Sequence, residues 1–204
     1  ISDALRYEIG AEFVEKIRGE DRYEAELESV TSILPSATSF GMAALLPHKK
    51  LTFKKDGAVL VDGMKTQSTQ DRNNILTQYI SEGAKALTSS SLSNLNWEER
   101  RVMFRENQLI YIYHNQIDAI GDDRQTEDQA FKAAGDTILE LVDIVKKLTS
   151  ANATNIIITA DHGFIYQNEV LDESDFVHLE ELKGEVFKQT RRYILSPERE
   201  LSTR

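Results

Sequence analysis

Asn155-Ile156-Ile157-Ile158-Thr159-Ala160-Asp161-His162-Gly163 is a short β-branched run that ends in an acid, an imidazole and a glycine. A continuous apolar run of this length reads as a strand buried on both faces of a parallel sheet. The pattern therefore predicts a buried strand over 155–159, with Asp161 and His162 in the loop at its carboxyl end. Taken alone, Asp-His-Gly is equally an ordinary turn with an aspartate cap. Its meaning comes from what surrounds it.

A second run of the same kind, Leu109-Ile110-Tyr111-Ile112-Tyr113, is followed within a few residues by His114, Asp118 and Asp122. Between the two runs, Phe131, Ile138, Leu141, Val142, Val145 and Leu148 recur at helical spacing and predict a long amphipathic helix over 127–149. Near the amino end, Leu5, Ile9, Phe13 and Ile17 predict a helix over 5–18, and Asp3 falls at the tail of a strand. Alternation over 29–34, closed by Pro35, predicts another strand, and a helix over 39–46 follows until Pro47 stops it.

The middle of the chain is less regular. Residues 51–53 and 58–61 flank Lys55-Asp56-Gly57 and predict a small hairpin. Ile75, Tyr79 and Ile80 predict a helix over 71–87, and the Ser- and Asn-rich stretch 88–96 reads as a loop. Asn96, with Glu99 three residues on, forms a capping box for a helix starting at Trp97. Residues 186–195 look strand-like. This order predicts an α/β fold, an open and mostly parallel sheet flanked by helices, forming one domain over 1–204 with a hairpin and helical insertion at about 48–107. Ile1-Ser2-Asp3 begins where a first strand should be ending, and the tail after Ser196-Pro197 looks cut, so a piece of a longer protein is expected.

Composition narrows the chemistry. With 204 residues, 40% hydrophobic and 28% charged, the chain has the make-up of an ordinary globular protein. No cysteine is present, so any metal must be held by carboxylate, imidazole or hydroxyl groups. The absence of cysteine and of any long apolar run suits a soluble, cytoplasmic protein with no membrane partner. A net charge of −10 opposes general binding to nucleic acid. Lys49, Lys50, Lys54 and Lys55, with Arg191-Arg192 as a second cluster, form a local basic patch that a solvated hairpin edge explains better than a nucleic-acid site.

Asp3, the Asp118/Asp122 pair and Asp161-His162 all follow strand-like runs, which places them on one edge of the sheet, where α/β folds bind their ligands. Acids and an imidazole gathered there are costly to desolvate unless a cation sits among them. Oxygen and nitrogen donors without sulfur suit Zn²⁺, Mn²⁺ or Mg²⁺, the imidazole favouring the first two. The turn Pro35-Ser36-Ala37-Thr38-Ser39 brings hydroxyls to the start of a helix. Such a hydroxyl either caps the helix or, beside a metal, becomes a nucleophile toward a phosphoryl group.

Four stretches together resemble a known family: Ile1-Ser2-Asp3-Ala4-Leu5-Arg6-Tyr7-Glu8, then Leu34-Pro35-Ser36-Ala37-Thr38-Ser39-Phe40-Gly41-Met42, then Tyr113-His114-Asn115-Gln116-Ile117-Asp118-Ala119-Ile120-Gly121-Asp122, and Thr159-Ala160-Asp161-His162-Gly163-Phe164. They look like the successive signatures of PglZ domains, which resemble the alkaline phosphatase superfamily. The resemblance implies two divalent metals, zinc first and Mn²⁺ or Mg²⁺ next, flanking a Thr or Ser nucleophile that hydrolyses phosphomonoesters or phosphodiesters. It places Asp3, Thr38, Asp161 and His162 around one metal, and Asp118 and Asp122 on the other. Thr38 stands ahead of Ser36 and Ser39 because it keeps the Pro-x-x-Thr distance. The superfamily's Asp-x-x-Gly-His motif ends here in Asp122, and its closing histidine has one positional candidate, His178, with His114 as a substitute. Arg6 is either a phosphate clamp or half of an ion pair. The implied setting is a phage-defence assembly of the BREX or Pgl kind, whose other proteins are the expected partners besides a phosphoester substrate. A catalytically weak scaffold in that assembly is the alternative, and a DNA phosphodiesterase using the basic patch is a third.

Overall fold

The computed structural model describes residues 1–20, 22–117, 130–164, 172–175, 185–190 and 193–197. Asp118, Asp122 and His178 therefore lie outside the described residues, as does Arg191-Arg192.

The chain is a mixed α/β protein. Helix α1 (Tyr7–Arg18) buries Ile9, Phe13, Val14 and Ile17, the face that the three-to-four residue spacing marked. That face packs against α6 (Ala130–Ser150), whose Ile138, Leu141, Val142 and Val145 complete one apolar cluster together with Ala4, Leu5 and Ile117. Ile156, Ile158, Ala160 and Phe164 lie on its edge, so the segment that carries Asp161 and His162 rests on the α1–α6 core.

A second cluster forms around α2 (Thr38–Ala44) and the strands β1 (Leu51–Phe53), β2 (Val59–Val61) and β3 (Met64–Lys65), which pair in order and antiparallel. Phe40 is fully buried there, with its ring 5.3 Å from that of Phe53 and 5.9 Å from that of Tyr193. Helix α3 (Thr69–Tyr79) begins with a capping box in which Ser68 and Asp71 exchange hydrogen bonds, and it adds Ile75 and Leu76 to the same cluster.

Strand β4 (Ala84–Thr88) then pairs in parallel with β5 (Leu109–Tyr113), Ala84 opposite Leu109 and Thr88 opposite Tyr113. The helices α4 (Ser89–Asn94) and α5 (Trp97–Glu106) lie between these strands in sequence. Asn96 and Glu99 form the expected capping box at the start of α5. A 3-10 turn at Glu173–Asp175 and a short antiparallel pair, β6 (Lys188–Gln189) with β7 (Ile194–Leu195), complete the described elements. Among the described residues no helix is long and apolar enough to cross a membrane.

Several expectations are corrected. The helix expected over 71–87 ends at Tyr79, and its last residues belong to β4. Gly83 causes the break: its φ of +98° is open to glycine, and its backbone lies so close to α5 that an added Cβ would fall 2.3 Å from the Glu106 carbonyl oxygen. The stretch 88–96, expected as a loop, contains α4, because the Thr88 hydroxyl accepts from the Ser91 N–H and caps a short helix. Residues 29–34 form no strand; Val30 and Leu34 are exposed, and no strand adjoins them among the described residues to complete a ladder. Residues 155–159 are likewise not part of a ladder, and Ile157 is 88% exposed, so the run is not buried on both faces. Strand β5 is parallel as expected but mostly half-buried.

Gly83→Ala adds both a positive-φ strain and a backbone clash, and is expected to cost about 2–4 kcal/mol. Chemical denaturation checks this; a loss below about 0.5 kcal/mol would contradict the assigned backbone at this turn.

Candidate metal centre

Three stretches of chain meet beside α2, and each is held by the backbone of the next. Ile1–Asp3 runs between the end of β5 and residue 159: the Ser2 N–H donates to the Thr159 carbonyl at 2.9 Å, the Asp3 N–H to His114 at 2.8 Å, and the His114 N–H to Ile1 at 2.9 Å. Ser2 and His114 thus form a parallel bridge that extends the β5 edge by one step. Ala4 follows with a left-handed φ of 59°, a conformation that costs a non-glycine residue about 1 kcal/mol or more. The turn aims the Ala4 N–H at Asp161 Oδ1, 3.2 Å away, while the Ser32 hydroxyl donates to the Asp161 carbonyl at 2.7 Å.

Helix α2 comes unusually close on the opposite side. A Cβ on Gly41 would lie 2.2 Å from the Asp161 carbonyl oxygen, so only glycine lets the helix approach this loop. Thr38 is the first helical residue. Ala37 is the N-cap and no side chain caps it, so the hydroxyl of Thr38 does not serve the helix. Instead Thr38 Oγ1 lies 3.0 Å from His162 Nε2. Ser36 and Ser39 are exposed.

Asp3, Asp161 and His162 are all buried. One donor atom from each lies within 4.8 Å of the others. His162 Nε2 is 3.4 Å from Asp3 Oδ1 and 3.5 Å from Asp161 Oδ2. His162 Nδ1 is 2.9 Å from the Gly163 carbonyl, which only accepts, so Nδ1 carries a proton and Nε2 is the nitrogen turned toward the carboxylates and Thr38. Asp161 Oδ2 is buried with no hydrogen-bond donor among the described residues. Two buried carboxylates and an imidazole converging in this way make a group that could hold a divalent cation. The donor set suits zinc or manganese: one nitrogen, carboxylate oxygens, no sulfur.

The other candidates fall elsewhere. His114 is not in the cluster; its ring is buried between Ser2 Oγ and Glu140 Oε2. Arg6 pairs with Glu8 and stacks over the Phe164 ring, 5.2 Å from its centroid, which supports the ion-pair reading over a clamp. That hydrogen bond from Arg6 holds the exposed Glu8 carboxyl down at about 2. The basic patch is the edge of the hairpin: Asp62 accepts from the Lys49 and Lys50 N–H groups, and Lys55 pairs with Glu185. Sequence reasoning missed Ala4 and Gly41. Gly41 left a readable sign, a glycine inside an otherwise good helix; the φ of Ala4 left none.

The family model described as the BREX system PglZ alkaline phosphatase-like domain matches residues 1–203. The chain is 39% identical over 198 residues to the alkaline phosphatase-like protein BrxZ of Escherichia coli O9:H4 (strain HS), an alignment covering 96% of this chain and 22% of that protein. It is 38% identical over 199 residues to the alkaline phosphatase-like protein PglZ of Bacillus cereus (strain H3081.97), covering 97% of this chain and 23% of that protein. The chain thus spans under a quarter of the length of these two relatives. No solved structure matches it.

Removing one carboxylate charge relieves the repulsion within the cluster. Asp161→Asn is therefore expected to raise the stability of the metal-free chain by about 1 kcal/mol or more. The same change should abolish any stabilisation by added Zn²⁺. Thermal melts with and without metal check both; a destabilised Asp161→Asn chain that still responds to Zn²⁺ would contradict the cluster's assignment.

Proposed function

The chain belongs to the PglZ family of alkaline phosphatase-like domains, and from that premise we propose that it is the core of a metal-dependent phosphoester hydrolase, with Thr38 as nucleophile. The observation that carries this reading is the 3.0 Å approach of Thr38 Oγ1 to His162 Nε2 at the rim of the buried Asp3–Asp161–His162 cluster. A hydroxyl released from capping and set beside a cation site is placed for attack rather than for folding.

Asp3, Asp161 and His162 would hold one divalent ion, zinc first and Mn²⁺ or Mg²⁺ next. Asp118 and Asp122, carried over from the family signature, would hold the second, and His178 is the candidate for the superfamily's closing histidine. Such ions would supply a lowered pKa at the nucleophile and offset charge on the phosphoryl oxygens.

This chain's own residues do the rest. Thr38 Oγ1 attacks phosphorus in line and loses its proton; the bond from phosphorus to the leaving alcohol breaks, and that oxygen takes up a proton. Water then cleaves the phosphothreonine, releasing the phosphate and restoring the hydroxyl. Gly41 keeps α2, and with it Thr38, pressed against the Asp161 loop. His162 stays aimed because Gly163 fixes its tautomer. The setting is a phage-defence assembly of the BREX or Pgl type, as the family description suggests. Its other proteins are the proposed partners.

Hydrolysis of p-nitrophenyl phosphate and of bis(p-nitrophenyl) phosphate, measured with Zn²⁺ or Mn²⁺, tests the proposal. Thr38→Ala should lower turnover by about 10³-fold or more while leaving metal content unchanged. Ser36→Ala and Ser39→Ala should stay within about two-fold, because both side chains are exposed. Full activity in Thr38→Ala, or in Thr38→Ala combined with Ser36→Ala and Ser39→Ala, would overturn the nucleophile. A metal-loaded chain that cleaves neither ester would favour the scaffold.

A further inference from the structure

A buried relay lies behind the cluster. Ser2 Oγ is 3.0 Å from His114 Nδ1, and His114 Nε2 is 2.8 Å from Glu140 Oε2 on α6. Ser2 is 1% exposed and His114 5% exposed, whereas the Glu140 side chain is 48% exposed. The Glu140 carboxylate accepts, so Nε2 carries the His114 proton, and Nδ1 in turn accepts from the Ser2 hydroxyl. This tautomer is the reverse of that of His162, and it leaves His114 no lone pair for a metal. Both ring nitrogens of His114 are thus engaged.

We infer that Ser2, His114 and Glu140 are positioning residues that fix the Asp3 carboxylate at the metal centre. The inference rests on the metal reading above but concerns different residues. Its basis is the way Asp3 is held. The backbone of Asp3 is tied to the His114 carbonyl at 2.8 Å, and the residue before it is clamped twice, through its N–H to Thr159 and through its hydroxyl to His114. Beyond Asp3 the chain turns at once through the left-handed Ala4, so the aspartate sits at a corner whose backbone is set on both sides. The ring of His114 can rotate only if it gives up both Ser2 and Glu140. Glu140 itself projects from α6, the longest described helix and half of the α1–α6 core. The relay therefore couples the rigid core to the corner that presents Asp3. Groups that orient a metal ligand in this way commonly govern affinity by about 10–100-fold without touching the ion.

Glu140 is half-exposed, so its replacement does not threaten the fold. Zn²⁺ affinity is to be measured calorimetrically on this chain for wild type, Ser2→Ala, Glu140→Ala and Glu140→Gln, with Co²⁺ spectra as a report on ligand geometry. Glu140→Ala and Ser2→Ala should weaken Zn²⁺ about ten-fold or more and alter the Co²⁺ bands. Glu140→Gln keeps an acceptor for His114 Nε2 and should return to within about three-fold of wild type. Unchanged affinity in Glu140→Ala and Ser2→Ala, or equal weakening in Glu140→Ala and Glu140→Gln, would overturn the inference. Amide hydrogen exchange of the metal-free chain separates the two levels of the account: the Asp3 N–H should exchange faster in Glu140→Ala and at the wild-type rate in Glu140→Gln. If the wild type takes up no Zn²⁺, the metal reading fails, and this exchange alone decides whether the relay holds Asp3; no difference between the variants would refute it.

Discussion

Bringing two carboxylates and an imidazole together inside a protein is an electrostatic constraint to which the rest of this structure answers. Two unit charges about 4 Å apart repel by roughly 4 kcal/mol at an effective dielectric near 20, before the cost of removing them from water is counted. Asp3 and Asp161 are both buried and both close to His162 Nε2. The Ala4 N–H reaches Asp161 Oδ1, while Asp161 Oδ2 has no donor among the described residues. The left-handed Ala4, the glycine in α2 and the orphaned Asp161 oxygen are local costs of the same kind, and all lie within the shell of this one cluster. Costs gathered in one place mark a site shaped for a ligand rather than for stability.

The surrounding fold keeps the cluster from relaxing. The α1–α6 core supports both the Asp3 corner and the 156–164 stretch, while Phe40 anchors α2 in a separate cluster with the hairpin. Thr38 and His162 are thus presented by different cores, and Gly41 is where the two come into contact. Because well-packed cores deform little, the distance between hydroxyl and imidazole is set by packing far from either group.

Much of this was legible in the sequence. The apolar spacing of α1 and α6, the Asn96–Glu99 capping box and the β1–β2 hairpin were each encoded by local pattern and appear where they were read. The gathering of Asp3, Thr38, Asp161 and His162 was implied by the resemblance to PglZ domains, and the structure brings the four together. Strand β4 was missed because its five residues continue the helical spacing of α3, and only the backbone geometry at Gly83 separates them. Residues 29–34 and 155–159 have strand-like side chains, yet a ladder needs a neighbouring edge, which local sequence does not report. Ser2 and Glu140 were invisible for a similar reason: nothing in the sequence pairs residues so far apart.

The account stands on a cation at the junction of these elements, and elemental analysis of protein purified without chelator tests it most directly. Wild type should carry Zn²⁺ or Mn²⁺ in stoichiometric amount, and Asp3→Ala and His162→Ala should each lose the ion held by the cluster while remaining folded. A wild-type chain that stays metal-free under added Zn²⁺ and Mn²⁺, or variants that keep the full complement, would contradict it.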